Sequence, residues 1–470
     1  MTSNDQPLPF DPLADAEDVC RMSAVQLTQA FADRSLSPVE ATRAALARAE
    51  AVHRRFNAFT AFFGDEALAA AKASEDRWRA GAPLSPIDGV PTTIKDILHV
   101  EGKTISYGSR ASAPVKANRD APSVAGLRKA GAVFLGLTTT PELGWKAVTD
   151  SALSGVTSNP WNGALTSGGS SGGAAVAAAA GAGALHIGTD GGGSIRIPAS
   201  FCGIVGHKPS FGRVAAYPAS AFGTLAHIGP MTRTIEDAKR MLDAMAGRDL
   251  ADWNQPPFPY PSGDLRPATP RGLKIGYWRE PPCGRLDGEV AEVCDLALRR
   301  LERAGAIVEP LALPDLDLLG VFNTLWLSGA ARRLRLIDPS RLELMDPGLR
   351  EAAGRVAGLS AADYVDASIR RAEFGAWMEA VFARLDLIIS PATAIPAFEK
   401  AHDVPPGSGL SVWTEWAGFS FPINLSQQPA CVTPCAMTDD RRPIGLQFIG
   451  PRGEDDRVLA LAGACRQIVQ

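Results

Sequence analysis

Twice in this chain a charged, helix-forming stretch closes on Ala-Gly-Ala and passes at once into a short apolar run: LRKAGAVFLG from Leu127 and LERAGAIVEP from Leu301. Glycine in that place ends a helix, and the β-branched and aromatic residues that follow favour a strand. Similar runs stand at Val133–Leu137, Leu273–Trp278, Leu385–Ser390, Ala430–Thr433 and Ile444–Ile449. Strands alternating with helices predict an α/β layered fold on a mixed or parallel sheet. The two matching decamers read as recurrent helix-to-strand turn chemistry, not as a true repeat.

The alternation begins near residue 85. Residues 1–21 read as a Pro- and Asp-rich lead-in and 22–82 as helices, with Ser37 and Glu40 forming a capping box before a helical run. Residues 83–250 form a core segment, 252–272 a Pro-rich connector and 273–470 a C-terminal part; the expectation is one domain over 22–470. The connector itself reads as a domain boundary or as a surface strap. A chain of 470 residues can bury a substantial core. With 47 basic against 51 acidic residues there is no electrostatic case for nucleic acid or an anionic membrane. The pairs Arg299–Arg300, Arg332–Arg333 and Arg370–Arg371 read as solvated helix faces. Seven irregularly spaced cysteines argue against a disulfide framework, and Cys431 and Cys435 read as buried thiols rather than a metal pair. The N-terminus lacks the basic patch and apolar run of a signal peptide. The longest apolar stretch, about Ala174–Leu185, is too short to span a bilayer. These points lead to the expectation of a cytoplasmic monomer or homodimer with no membrane or nucleic-acid partner.

The most unusual composition lies at 163–213. Two glycine-rich turns, 168–173 with Ser170 and Ser171 and 191–193 ending at Ser194, flank an Ala-rich segment, 174–184. That segment reads as a helix beginning after Gly172–Gly173, and a helix N-terminus presents free N–H groups and a positive dipole end. Four readings compete. The turns only reverse the chain; or GGSSGG is an anion nest, although no G-x-x-x-x-G-K-[ST] is present. A third reading is a hydrolase elbow, because Gly168–Gly172 satisfies G-x-S-x-G. The preceding NPWNGALTS reads as loop where that elbow needs a strand, and no motif marks His186, His207, His227 or His402 as its base. The fourth is a serine–serine–lysine relay.

GGSSGG, followed by GTDGGGSIRIPASFCGIVGHKPSFGR, resembles the amidase signature family. The resemblance extends to DGVPTTIKDILHVEG at 88–102, ISPATAIPAF at 389–398 and RPIGLQFIGPRGEDDRVLALA at 442–462. It therefore covers about 80–460, in the family's order. It implies an α/β/α sandwich, a large twisted mixed sheet covered by helices on both faces. Lys95 matches the family's catalytic lysine, Ser170 the bridging serine held by a cis peptide bond, and Ser194 the nucleophile. The spacings, 75 and 24 residues, are family-like. Gly191, Gly192, Gly193 and Ser194 match the oxyanion-hole N–H donors. Ser171, Asp190 and Arg196 match positions that brace these loops, although a triad acid or a metal ligand are alternative readings of Asp190. Gly191 departs from the family, where a larger residue such as Thr is more usual; its absence is expected to loosen the loop or widen the acyl pocket. The resemblance requires no metal or organic cofactor.

Such chemistry suits these residues. A serine hydroxyl attacks only once a base removes its proton. Lysine is a base only when neutral, and bringing its pKa from ~10.4 to about 7.5 costs about 4 kcal/mol, which burial supplies. Lys95 ends an apolar-leaning run from Gly89 that reads as a strand entering the core; the bland alternative is an ion pair with Asp96. The implied cycle passes a proton from Ser194 through Ser170 to Lys95, forms an acyl-enzyme, returns the proton to the leaving amine, and ends in hydrolysis. Candidate pocket walls are Phe201, Phe222, Trp326, Trp413, Trp416, Phe419 and Phe421, with Arg213 as a gate or lining residue. Aromatic density in LSVWTEWAGFSFPINLS favours an apolar entrance. The expected substrate is a small apolar or aryl amide, with esters and carbamates as related targets, since the chain's style is similar to the family's urethanase branch. Two alternatives remain: the glutaminase component of a tRNA-dependent amidotransferase, and a non-catalytic binding protein on the same scaffold.

Overall fold

A computed structural model describes residues 11–356 and 358–469; the first ten residues of the expected lead-in lie outside it. Eleven strands form one sheet. In chain order they are β1 (Phe59–Phe62), β2 (Pro91–Lys95), β3 (Val133–Thr138), β4 (Leu185–Asp190), β5 (Val205–Lys208) and β6 (His227–Thr232), then β7 (Lys274–Tyr277), β8 (Ile307–Pro310), β9 (Leu387–Pro391), β10 (Ala430–Met437) and β11 (Pro443–Ile449). Their order across the sheet is β1-β3-β2-β4-β6-β5-β10-β11-β9-β7-β8. β2 runs parallel to β3 and β4, and β7 runs parallel to β8 and β9. The remaining pairs are antiparallel, so the sheet is mixed. Every residue of β2, β3, β5, β6, β9 and β11 is buried, as expected when helices cover both faces.

The five apolar runs read from the sequence all became strands, with ends shifted by no more than four residues. The stretch 22–82 is not wholly helical: β1 interrupts it between α1 (Pro38–Phe56) and α2 (Gly64–Arg79). Ser37 and Glu40 do form the capping box, each side chain bonded to the other's backbone N–H. The Ala-rich helix is shorter than expected: α3 covers Gly172–Ala179, after which the chain turns into β4. Its small side chains are all buried, which lets it pass through the core beside β2, β4 and β6.

The connector at 252–272 carries no helix or strand. It is tied to the preceding core by Asp252, which accepts a hydrogen bond from the Ala216 N–H. The seven cysteines are free, and all but Cys283 are buried. No described helix is long and apolar enough to cross a membrane.

Candidate active site

Lys95 is the last residue of β2. Because β2 and β4 are parallel neighbours, their C-terminal ends emerge together, where ligands of α/β sheets commonly bind. Lys95 is fully buried and its Nζ donates to three hydroxyls: Ser170 at 2.7 Å, Ser171 at 2.9 Å and Thr189 at 3.0 Å. No carboxylate among the described residues bonds it. Burial pushes the ammonium well below the usual lysine range, against the pull of the nearby Asp190 carboxylate. Asp96 turns away and accepts from the Ser106 N–H and hydroxyl, so the ion pair with Lys95 does not form.

Ser170 and Ser171 immediately precede α3, and the Gly169–Ser170 peptide is cis. Ser171 bridges outward: it accepts from Lys95 and donates to the Thr189 carbonyl at 3.2 Å. Ser194 lies between β4 and α4 (Arg196–Cys202), and its carbonyl accepts from the Ser171 N–H at 3.2 Å. Its hydroxyl makes no hydrogen bond with a described residue. Ser170 and Ser194 instead share a cavity of about 440 Å³, so only the lysine side of the expected relay is closed. Such bonds often tighten only with substrate in place.

Asp190 accounts for the shape of the loop that carries Ser194. Its carboxylate accepts from the Gly193 N–H at 2.9 Å and the Ile195 N–H at 3.1 Å, and holds Arg196 through Nε and Nη2. Both ionic partners are fully buried. Arg196 reaches on to Ser420, Asn424 and Gln447. Burial pushes the Asp190 carboxyl upward, but Arg196, Lys208 and Asn424 outweigh it and hold the group below the ordinary aspartate range. A carboxylate so engaged braces the loop; it touches none of the three hydroxyls around Lys95. One correction follows: the Gly193 N–H is taken by Asp190, leaving Gly191, Gly192 and Ser194 as N–H groups without an acceptor among the described residues.

Gly191 also behaves differently from expectation. A Cβ there would meet Trp326 at 2.7 Å, so the indole occupies the space a larger residue would take, and the pocket is not widened. Trp326 stacks on Phe222 with ring centroids 3.7 Å apart. These two are the only expected aromatic residues that line the cavity. Trp413 packs edge-on behind Trp326, Trp416 stacks on Phe201, Phe419 abuts Trp278, and Phe421 stacks on Phe322, all in the core. Arg213 neither gates nor lines the cavity: it is buried and paired with Asp455 and Asp456.

The remaining walls escaped the sequence. Among them are Tyr107, Leu143, residues 216–221, His227 and, from α5 (Leu318–Leu334), Arg332 and Arg333. Arg332 is exposed, as a solvated face requires, but Arg333 is half-buried against the cavity and departs from that reading. So does Arg371, which is half-buried and donates to Thr224 and Leu425. Thr189, the third hydroxyl on Lys95, stands beside Asp190 and could have been singled out only by the parallel pairing of β4 with β2.

A profile of the Amidase family matches residues 40–459. The chain belongs to the amidase signature family. It is 34% identical to an acylamidase from Rhodococcus erythropolis, over 94% of each chain. It is also 34% identical to a glutamyl-tRNA(Gln) amidotransferase subunit from Chloroflexus aggregans, over 93% of this chain and 94% of that one. A solved bacterial aryl acylamidase superposes with a TM-score of 0.87 at 27% identity, over 95% of this chain and 96% of the other. The chain is thus an amide hydrolase on an amidase signature fold.

Proposed function

We propose that this amidase hydrolyses small linear amides with an apolar or aryl body through an acyl-enzyme on Ser194. The observation that carries the reading is a fully buried lysine, bonded only to hydroxyls, whose partner Ser170 opens into the cavity that also holds Ser194. A neutral Lys95 draws a proton from Ser170, which in turn draws one from Ser194 as that oxygen attacks the carbonyl. The free N–H groups of Gly191, Gly192 and Ser194 face the developing oxyanion, a contact commonly worth ~3 kcal/mol per donor. Ser170 then protonates the departing amine, and water releases the acid by the same route. The Trp326–Phe222 stack favours flat or apolar substrates. Aryl carbamates and esters present the same carbonyl to the same groups.

The amidotransferase relatives supply a second reading, in which the chain is the glutaminase component of a larger complex. Free glutamine carries an ammonium that needs an anion, and the one carboxylate lining the cavity among the described residues, Asp190, is already engaged by Arg196 and Asn424. The deciding experiment is a hydrolysis screen of anilides, aliphatic amides, esters, carbamates and glutamine, with Ser194→Ala as control. Wild type is expected to cleave anilides without partner proteins and the control nothing. Ammonia release from glutamine only with partner proteins would favour the second reading. Failure of a fluorophosphonate probe to label Ser194 would return the chain to a non-catalytic scaffold.

A further inference from the structure

α5 contributes more to the cavity than an aromatic wall. Arg333 lies seven residues, two helical turns, beyond Trp326 and so returns to the same face. Its guanidinium sits 5.6 Å from the centre of the Tyr107 ring. Its Nε is buried without a hydrogen-bond partner. Among the described residues neither Arg333 nor the neighbouring Arg332 has a carboxylate within ion-pair distance, although both line the cavity. Other arginines with little exposure find partners: Arg213, whose Nε also lacks a hydrogen bond, is ion-paired to two aspartates, and Arg371 donates to carbonyls and a threonine. Arg332 is exposed, but Arg333 is a cation stripped of part of its water and left without a carboxylate, which is costly unless a ligand completes it. Arginine's planar fork matches the paired oxygens of a carboxylate or phosphate, and of these only a carboxylate is common on small amides.

We propose that Arg333, assisted by Arg332, binds a carboxylate on the substrate, so that the preferred amides are acids with an apolar body between the scissile bond and the anion. This rests on the amide-hydrolase reading above and names the substrate class for the same cavity. At 1.5 Å per residue, Arg333 stands about 10 Å along α5 from Trp326, which touches the nucleophile loop at Gly191. That separation favours a carboxylate remote from the carbonyl, with the Trp326–Phe222 stack against the intervening atoms. The lack of an unpaired carboxylate in the cavity excludes a matching ammonium, which separates these substrates from free α-amino acids.

The test compares octanoic 4-nitroanilide with the mono-4-nitroanilide of octanedioic acid, and N-octanoylaniline with N-octanoyl-4-aminobenzoate. One pair places the anion on the acyl side and the other on the amine side. Wild type is expected to favour the anionic member of at least one pair by tenfold or more in kcat/KM, mainly through KM. Arg333→Met and Arg332→Met/Arg333→Met should bring that ratio to near one, and Arg333→Lys should retain part of it. Thermal unfolding verifies that the variants are folded. Binding of the same compounds to Ser194→Ala by calorimetry gives the preference independently of turnover. Equal treatment of neutral and anionic partners by wild type, or a preference that survives the double substitution, would overturn the proposal. Neutral anilides cleaved without any charge preference would leave the amide-hydrolase reading standing; binding preference without turnover would do the reverse.

Discussion

Lys95 combines a cost and a use in one side chain. Burial makes its ammonium form unfavourable, and the three hydroxyls around Nζ can accept from a proton-bearing amine but cannot neutralise it as a carboxylate would. In the unfolded chain the same amine titrates near ~10.4. Between the depressed native value and that figure the unfolded state binds more protons, so this residue makes stability rise with pH. Lys95→Met is therefore expected to abolish amide turnover yet raise unfolding stability at pH 7 by about 1–3 kcal/mol. The gain should shrink toward pH 10, which denaturant titrations of both proteins at several pH values would check. In wild type kcat/KM should climb along an acid limb as Lys95 loses its proton; a flat profile would count against its role as base. Gly191 yields a second expectation. With Trp326 only 2.7 Å from the site of a Cβ, Gly191→Thr should lower activity at least tenfold, and adding Trp326→Leu should recover part of it. Additive losses in that double-mutant cycle would show that the contact is not shared. Much of this residue-level site was legible, because Lys95, Ser170 and Ser194 stand in motifs. What stayed hidden was whatever depends on how distant segments meet: Thr189 on Lys95, Trp326 filling the gap at Gly191, and two arginines indistinguishable in sequence from Arg299–Arg300.

Among the elements, α3 shows packing overriding propensity. Replacing glycine by alanine inside a helix ordinarily stabilises by up to ~1 kcal/mol. At Gly173, however, a Cβ would lie 2.5 Å from the Ala58 carbonyl oxygen and 2.4 Å from the Thr139 hydroxyl. Gly173→Ala is expected to destabilise by about 1–3 kcal/mol, read as a lower urea midpoint; a rise would mean the helix is loosely seated. Several strands announced themselves as apolar runs, such as Val133–Leu137 and Ile444–Ile449, while the edge strand β1 lay hidden in the stretch read as helical. Nor did three strands near the sheet's middle, β4, β5 and β6, stand out. They carry Gly188, His186, Gly206, His207 and Pro230, residues that blur a strand pattern. Their neighbours complete them instead. Pro230, which has no N–H, is tolerated because β5 pairs only with Met231 and Thr232 of β6.

At the scale of the molecule, β7 and β8 follow the Pro-rich connector yet extend the same sheet, and β9 to β11 join them to β5. We accordingly expect residues 22–470 to behave as one unit. Loss of far-UV ellipticity and loss of fluorophosphonate labelling in urea should coincide, whereas two separated transitions would place a domain boundary at 252–272. The overall class was readable from alternation alone, but the connector's role was not, since Pro-rich composition is the same in a strap and in a linker. The split of labour across the sheet has a practical corollary. Lys95 and Thr189 come from β2 and β4, while α5, on the far side of the connector, supplies the indole and the guanidinium that line the rest of the cavity. Mutational drift along that one helix can retune what is accepted without disturbing how the bond is cut, so new diets should arise there first.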